Sequence, residues 1–336
     1  MGALSSFVVV VLLILLAYIG VEAAGLQSFF GIAIPYAAVL TFIVGFIYRV
    51  ITWGKSPVPF AITTTGGQQK SLPWIKQAKL DNPSSTAGVI GRMVLEILLF
   101  RSLFRNTQSE LRDGKLGYGS AKWLWLAAIA FHWSFWIVLL RHIRFFATPA
   151  PAYLGLLESL DGFLQIGTPR LFLTGVILLV AVTYLLLRRF YIPKVRYISL
   201  ASDYFPLFLI MAIASTGILM RYFFRVDITG VKELTMGLVT FNPVIPDGVS
   251  AIFYIHIFLV SSLFAYFPFS KLVHMGGVFL SPTRNLANNS RAVRHINPWN
   301  YPVKVHTYEE YEEEFREKME NAGIPVERPS AALIED

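Results

Sequence analysis

The chain has 336 residues, of which 55% are hydrophobic and 15% are charged, and its mean hydropathy is +0.56. Because a soluble domain carries about a quarter charged residues, this composition excludes an ordinary soluble enzyme and indicates a membrane protein. The chain has no cysteine, which excludes disulfides, thiolate nucleophiles, iron–sulfur clusters and covalent c-type haem. The net charge of +8 is too modest to predict nucleic-acid binding.

Six apolar stretches are long enough to cross a bilayer as helices. In chain order they cover residues 5–22, 29–52, 120–146, 169–190, 203–224 and 248–269. The first stretch lacks a basic leading region and a clear cleavage pattern, so we expect a retained helix rather than a signal peptide. The predicted fold is an all-α integral membrane protein with about six transmembrane helices.

The charges between these stretches predict the orientation of the chain. Residues 49–122 carry eleven basic and four acidic side chains, so this loop is expected in the cytoplasm by the positive-inside rule. The connection at 147–168 has no Lys or Arg, whereas the next one is basic. This alternation predicts a multi-pass protein of the cytoplasmic (inner) membrane, in contact with the lipid bilayer, with both termini in the cytoplasm.

The same layout divides the chain into four regions. These are two N-terminal spans (1–52), a cytoplasmic loop (53–119), a four-helix core (120–275) and a cytoplasmic tail (276–336). In the loop, Pro, Gly, Ser and Thr at 53–84 predict irregular structure, and residues 88–105 favour a helix in the membrane interface over a seventh span. The tail is expected to hold a solvated acidic helix at 308–323 and the solvated histidines His295 and His306.

Four histidines lie in or beside two of the predicted spans. His132 and His142 are in the third span, and His256 and His274 are in and just beyond the sixth. Ionisable residues at membrane depth are costly and usually functional, although one alone can be a packed, hydrogen-bonded side chain. Because the two spans run in opposite directions, His142 shares the outer side with His256, and His132 shares the inner side with His274. Each pair can supply two imidazoles to one iron, which predicts two haems in the bundle.

The spacings fit this prediction only if the sixth helix is interrupted. His132 and His142 are 10 residues apart and His256 and His274 are 18 apart, which gives about 15 Å and about 27 Å along straight helices. A break at Pro268 is expected to absorb the difference. A zinc or copper site is excluded, since histidines so far apart on one helix cannot reach one ion. A proton relay would favour carboxylates, which these two spans lack.

The histidine spacings resemble a known family. The patterns H-x9-H at 132–142 and H-x17-H at 256–274, with FPFSKLVHMGG at 267–277, are similar to the gamma subunits of respiratory nitrate reductases, membrane dihaem cytochromes b that oxidise quinol. The resemblance covers mainly residues 120–280. The family core has five spans, so the additional span here is expected to be the first.

The resemblance implies a role for each histidine. His142 and His256 would bind one haem b near the outer face, and His132 and His274 would bind a second haem b near the cytoplasm. In nitrate reductase relatives a small residue precedes the outer ligand of the first pair and helps to line the quinol pocket. Arg141 stands at this position here.

Residues 267–299 resemble one branch more closely, the DsrM-type membrane subunit of the sulfite-reduction-associated electron-transfer complex. This likeness implies electron transfer between menaquinol or menaquinone and a cytoplasmic iron–sulfur partner of the heterodisulfide-reductase-like DsrK type, in sulfite or sulfate respiration. Periplasmic cytochrome c and further membrane subunits are implied as additional partners. A nitrate reductase or heterodisulfide reductase cytochrome b subunit remains an alternative, as do a proton-coupled transporter, which would predict internal repeats, and a membrane anchor without haem.

Menaquinol is expected to bind beside the outer haem and to release protons outward. Glu158 and Asp161 lie in the one strongly acidic outer loop and are candidates to accept these protons, with a solvated loop as the simpler account. Arg141, Arg144 and Arg221 lie at outer helix ends and are candidates to pair with haem propionates or quinone oxygens. Snorkelling to lipid phosphate explains these arginines equally well.

Overall fold

The computed structural model describes residues 2–56, 74, 76–289 and 305–327. Within these residues, six helices are long and apolar enough to span a membrane, and they cover Gly2–Glu22, Phe29–Gly54, Lys122–Phe145, Leu173–Tyr191, Ala201–Phe224 and Ala251–Phe269. The six predicted spans are confirmed to within a few residues. The chain is therefore a multi-pass, mostly helical membrane protein.

The helices are numbered in chain order. They are α1 (Gly2–Glu22), α2 (Ile34–Gly54), α3 (Thr86–Leu99), α4 (Arg101–Arg105), α5 (Lys122–His142), α6 (Tyr153–Asp161), α7 (Leu173–Tyr191), α8 (Pro193–Ile198), α9 (Ala201–Ile218), α10 (Ile228–Val239), α11 (Ala251–Tyr266), α12 (His274–Gly277), α13 (Pro282–Asn285) and α14 (Tyr308–Asn321). Short π-helical segments precede α2 (Phe29–Ala33) and follow α9 (Leu219–Phe224), and 3₁₀ turns follow α5 (Ile143–Phe145) and α11 (Phe267–Phe269).

Helix α11 is the centre of the bundle. It packs on α1, α2 and α9, while α5 packs on α7 and α7 packs on α9. The buried side chains of α11 include Phe253, Tyr254, Phe258 and Leu259. Large apolar side chains on the other faces of the spans, such as Leu12 and Leu40, are exposed, as expected for helices that contact lipid.

The directions of the spans alternate. Ser6 in α1 donates to the carbonyl of Ala201 at the start of α9 (3.0 Å), and Tyr266 at the end of α11 donates to the carbonyl of Ser202 (3.4 Å). The start of α1, the start of α9 and the end of α11 therefore lie at one face of the bundle, here called the proximal face. The opposite face, which carries α6 and α10, is called the distal face.

Residues 76–120 lie between the second and third spans and contain two helices and a hairpin. The predicted helix at 88–105 is present as α3 and α4, which are separated at Phe100 by a left-handed residue (φ 49°). A hairpin that we did not predict follows, in which β1 (Thr107–Arg112) pairs antiparallel with β2 (Lys115–Ser120). Asp113 and Gly114 turn the hairpin with φ of 50° and 72°, so the Asp-Gly pair was the overlooked signal.

Helix α3 packs its polar face on the chain that follows His274. Arg92 donates to the carbonyl of Thr283, and Arg284 pairs with Glu96 at 3.1 Å. Burial lowers the pKa of the Arg92 guanidinium from its ordinary value. Most of the predicted irregular segment at 53–84 lies outside the described residues, but α3 and α13 form one extramembrane layer at the proximal face.

The acidic helix of the tail is present as α14. Thr307 begins it with a capping box, in which its hydroxyl accepts from the amide of Glu310 and the Glu310 carboxylate accepts from the amide of Thr307. His306 lies next to this cap, 3.9 Å from the Glu310 carboxylate. His295 lies outside the described residues.

Candidate functional site

The structure brings the four membrane histidines together in the two predicted pairs. His142, the last residue of α5, faces His256 in α11 with 6.5 Å between ring centres and 14° between ring planes. His132 in α5 faces His274 in α12 with 6.0 Å between ring centres and 79° between planes. We call these the distal pair and the proximal pair, after the faces to which they lie closest.

Both separations fit one metal ion between two imidazoles. A bond of about 2 Å from each imidazole nitrogen to a shared metal places the two ring centres about 6 Å apart. Among the described residues, no group of three or more His, Cys, Asp or Glu side chains could hold a metal ion. A site with two protein ligands suits an iron whose four other ligands come from a porphyrin.

Three of the histidines have the tautomer that metal binding requires. The Nδ1 of His132 lies 2.7 Å from the carbonyl of Ala128, that of His142 lies 2.7 Å from the carbonyl of Val138, and that of His274 lies 2.8 Å from the carbonyl of Lys271. Because a carbonyl only accepts, each Nδ1 carries the hydrogen and each Nε2 keeps a lone pair for a metal.

The fourth histidine is oriented by a side chain of another helix. The Nδ1 of His256 lies 2.8 Å from the Thr216 hydroxyl in α9. The next residue on α9 is Gly217, where an added Cβ would lie 3.5 Å from Cε1 of His256. Sequence reasoning missed Thr216, because the sequence does not show which face of α9 meets α11.

The predicted break beside Pro268 is confirmed. Helix α11 ends at Tyr266 and is followed by a 3₁₀ turn, an extended Ser270 and a second 3₁₀ turn at Lys271–Val273. Helix α2 supports the break, since Arg49 donates to the carbonyl of Pro268 (3.1 Å). A Cβ at Gly45 would lie 2.8 Å from Pro268, so only glycine allows this close approach. The interruption turns His274 toward His132.

Aromatic side chains surround both pairs. Phe100 and Phe131 meet the His132 ring edge-on, at 4.9 and 5.0 Å between ring centres. Phe145 lies 5.9 Å from the His142 ring. Among the described helices, those that pack closely along α11 are α1, α2 and α9 rather than α5. Phenylalanine rings therefore lie against one histidine of each pair, and the histidine side chains link α5 with α11 and α12, which suits an apolar porphyrin.

Four of the five charged candidates near the distal pair form two ion pairs. Arg141 pairs with Asp161, whose side chain is 2% exposed, and Asp161 also accepts from the Thr174 amide (2.7 Å) and hydroxyl (2.6 Å). Asp161 is therefore a buried structural carboxylate and not part of a solvated loop. Arg144 pairs with Glu158, and both of these side chains are partly exposed.

A second arginine lies beside Arg141. The guanidinium carbons of Arg141 and Arg221 lie 3.9 and 4.1 Å from the centre of the Phe172 ring. The Nε atoms of both arginines are buried, and neither has a hydrogen-bond partner within the described ranges. Because Asp161 offsets the charge of Arg141, one positive charge is in excess at this ring, which suits an anionic group such as a haem propionate.

Comparison with known proteins finds relatives over most of the chain. Residues 96–295, which include the four histidines of the distal and proximal pairs, match the family described as nitrate reductase gamma subunit. The Hdr-like menaquinol oxidoreductase cytochrome b-like subunit of Archaeoglobus fulgidus is 46% identical over 277 residues, covering 80% of this chain and 83% of the relative. The protein of that name from Archaeoglobus profundus is 42% identical over 274 residues, covering 80% and 81%.

A more distant match is the respiratory nitrate reductase 1 gamma chain of Escherichia coli. It is 31% identical over 129 residues, which cover 36% of this chain and 56% of the relative. The similarity to the archaeal proteins therefore extends over far more of the chain than the similarity to this nitrate reductase subunit.

Proposed function

Because the chain belongs to the nitrate reductase gamma subunit family, we propose that it is a membrane cytochrome b subunit that holds two b haems. It would transfer electrons between menaquinol or menaquinone and a partner subunit, as part of a quinol-oxidising complex rather than as a complete enzyme. The observation that carries this proposal is the geometry of the two histidine pairs, with ring centres 6.5 and 6.0 Å apart. The names of the two archaeal relatives support menaquinol as the quinol.

The partner follows from the same names and from the composition. Both archaeal relatives are called Hdr-like, which supports a partner similar to heterodisulfide reductase, and an iron–sulfur subunit of the DsrK type is our more specific proposal. Since this chain has no cysteine, the clusters would belong to that partner. The assignment to a DsrM-type subunit in sulfite or sulfate respiration, with periplasmic cytochrome c and further membrane subunits, rests on the likeness of residues 267–299.

Each histidine pair would hold one haem near one face of the bundle. When bound, haem supplies the one-electron chemistry. His142 and His256 hold the group nearest the distal face, and His132 and His274 hold the group nearest the proximal face. The basic residues around the proximal face support a cytoplasmic position for it, with both termini on the same side. Electrons from quinol at the distal face would then cross inward to the partner.

Glu158 is the stronger candidate for the proton acceptor of the quinol site. The Asp161 carboxylate is buried and already engaged by Arg141 and by both Thr174 donors. Glu158 pairs with Arg144 and keeps 27% of its side chain exposed, so a quinol hydroxyl or a bridging water can reach it. Arg141, with Arg144 beside it, would hold anionic oxygen atoms of the haem or the quinone at this face.

The proposal is tested by the haem content of the purified protein. The pyridine haemochrome spectrum of the wild type in mild detergent should give two b haems per chain. His142→Ala and His274→Ala should each retain one haem, and redox titration should show that the retained haems differ in potential. Folded wild-type protein without haem b would overturn the proposal and leave a transporter or an anchor.

A further inference from the structure

The Nδ1 atoms of the four candidate ligands are hydrogen-bonded in two ways. His132 and His142 bond to carbonyls one turn earlier on their own helix, and His274 bonds to a carbonyl three residues earlier. These three bonds survive any side-chain substitution at the acceptor residue. His256 bonds instead to the Thr216 hydroxyl of a different helix, so a replaceable side chain takes part in its orientation.

The Thr216 hydroxyl has a fixed direction. Its Oγ1 lies 2.9 Å from the carbonyl of Ala212 and 3.0 Å from the carbonyl of Ile213, and a hydroxyl has one hydrogen to give. Both carbonyls only accept, so a hydrogen given to either of them points back along α9 and turns an oxygen lone pair toward Nδ1 of His256. When Nε2 of His256 is kept for a metal, Nδ1 carries the hydrogen, and the bond then runs from Nδ1–H of His256 to Oγ1 of Thr216.

Thr216 and His256 are both at least partly buried. Thr216 is buried, and its branched side chain is held by the turn that precedes it on α9. Gly217 leaves space beside the imidazole. The carbonyl of Ile213 also interacts with His256, so α9 presents the imidazole with a hydroxyl and, behind it, a backbone acceptor.

On the basis of the proposed function, we propose that Thr216 is a positioning residue that fixes the tautomer and ring orientation of His256 and sets the reduction potential of the distal haem separately from that of the proximal haem. A hydrogen bond from the outer ring nitrogen makes an imidazole a stronger electron donor to its metal. A stronger donor stabilises ferric iron, which lowers the potential. Loss of the hydroxyl therefore raises the potential of the distal haem and leaves the proximal haem unchanged.

The test uses the full-length protein in detergent. Thr216→Val keeps the shape of the side chain and removes the acceptor, whereas Thr216→Ser keeps the acceptor. Thr183→Val is the matched control, because Thr183 also lies in a span and donates to a carbonyl one turn earlier (2.7 Å), but its hydroxyl has no hydrogen bond to a histidine among the described residues. Redox titration and low-temperature electron paramagnetic resonance of the ferric haems are the readouts, and His142→Ala identifies the signal of the distal haem.

We expect Thr216→Val to shift the potential and the ferric spectrum of the distal haem, or to weaken its retention about tenfold, with the proximal haem unchanged. Thr216→Ser and Thr183→Val should match the wild type. If Thr216→Val does not yield folded protein, Thr216→Ala replaces it. Equal shifts of both haems, no shift of either, or a serine variant that behaves like valine would overturn the inference. Wild-type protein without haem would instead overturn the proposed function.

Discussion

The distal and proximal pairs each consist of two imidazoles, but the backbone that carries the ligands differs between the pairs. Both distal histidines lie in long spanning helices, where regular backbone and one hydroxyl on α9 orient them. In the proximal pair, His274 lies in a four-residue helix beyond the break in α11, and it is exposed. In this comparison, His274 lies on irregular backbone that is tethered by side chains of other helices, whereas the distal histidines are placed by the long helices that carry them.

Asp203 provides such a tether for the proximal pair. This side chain, 8% exposed, accepts from the Lys271 ammonium at 2.7 Å and lies 3.8 Å from the Arg189 guanidinium. It also caps the start of α9 by accepting from the amide of Leu200 (3.0 Å). Because the carbonyl of Lys271 accepts from His274, Asp203 holds the residue that orients the ligand.

The largest expected effect tests how the ligands are paired. His256→Ala should lose the same haem as His142→Ala, and His132→Ala should lose the same haem as His274→Ala, because each iron needs both of its imidazoles. Visible spectra and redox titration of the four variants give the assignment. Any other grouping of the variants contradicts the two pairs.

The second-largest expected effect is on the rate of menaquinol oxidation at the distal face, without loss of either haem. Glu158→Gln should reduce menaquinol oxidation by about 100-fold, which is typical for loss of a general base, while both haems remain bound. Reduction of the haems by a soluble menaquinol analogue in stopped flow measures this rate. Asp161→Asn is the comparison, since loss of a buried ion-pair partner costs about 3 kcal/mol of stability and should lower the yield of folded protein. A normal rate in Glu158→Gln would remove Glu158 from the quinol site.

A smaller effect should be confined to the proximal pair. Asp203→Asn removes the charge that holds Lys271, which costs about 2 kcal/mol for a hydrogen bond to a charged group. The proximal haem should then be lost first as the temperature is raised in detergent, and Asp203→Glu should restore part of the difference. The two Soret contributions, followed separately, measure this loss. Loss of both haems at the same temperature would show that the tether serves the whole bundle.

The smallest effect concerns the layer that covers the proximal pair. Hydrogen bonds from Arg101, and then from Arg105, hold the pKa of Asp81 below its usual range, and Arg101 begins the helix next to Phe100, which contacts His132. A lowered pKa means that this stabilisation is present above the unfolded-state pKa and is lost only as the pH falls through the lower folded-state value. Asp81→Asn should therefore lower the opening free energy that hydrogen exchange measures in residues 76–105 by about 1 kcal/mol or less. The decrease should be the same at pH 7 and pH 5. A difference that disappears at pH 5 contradicts this account.

Much of the framework was predictable because it depends on local pattern. Six apolar stretches specify six spans, and alternating span directions pair His142 with His256 and His132 with His274. A proline two residues beyond the end of α11 predicts the break. The Asp-Gly turn at residues 113–114 was equally local and was overlooked.

The parts that were not predictable depend on which helix faces meet. A span that is apolar on all sides carries no pattern that identifies its neighbours, so the sequence does not place Thr216 against His256 or Asp203 against Lys271. Arg141 and Asp161 were both singled out, but their ion pair could not be foreseen. It depends on how α6 folds back onto the end of α5, where Thr174 completes the carboxylate's partners.

The positions of the ligands along the chain also determine the order in which the two pairs are synthesised. His132 and His142 enter the bilayer with the third span, and neither iron can be held on both sides until the sixth span has been inserted. His256 lies early in that span, whereas His274 is synthesised after it. The position of His274 depends on the contacts that α2 and α9 make with the Pro268–Lys271 turn. Both ligands of the distal pair are therefore synthesised 18 residues before the proximal pair is complete.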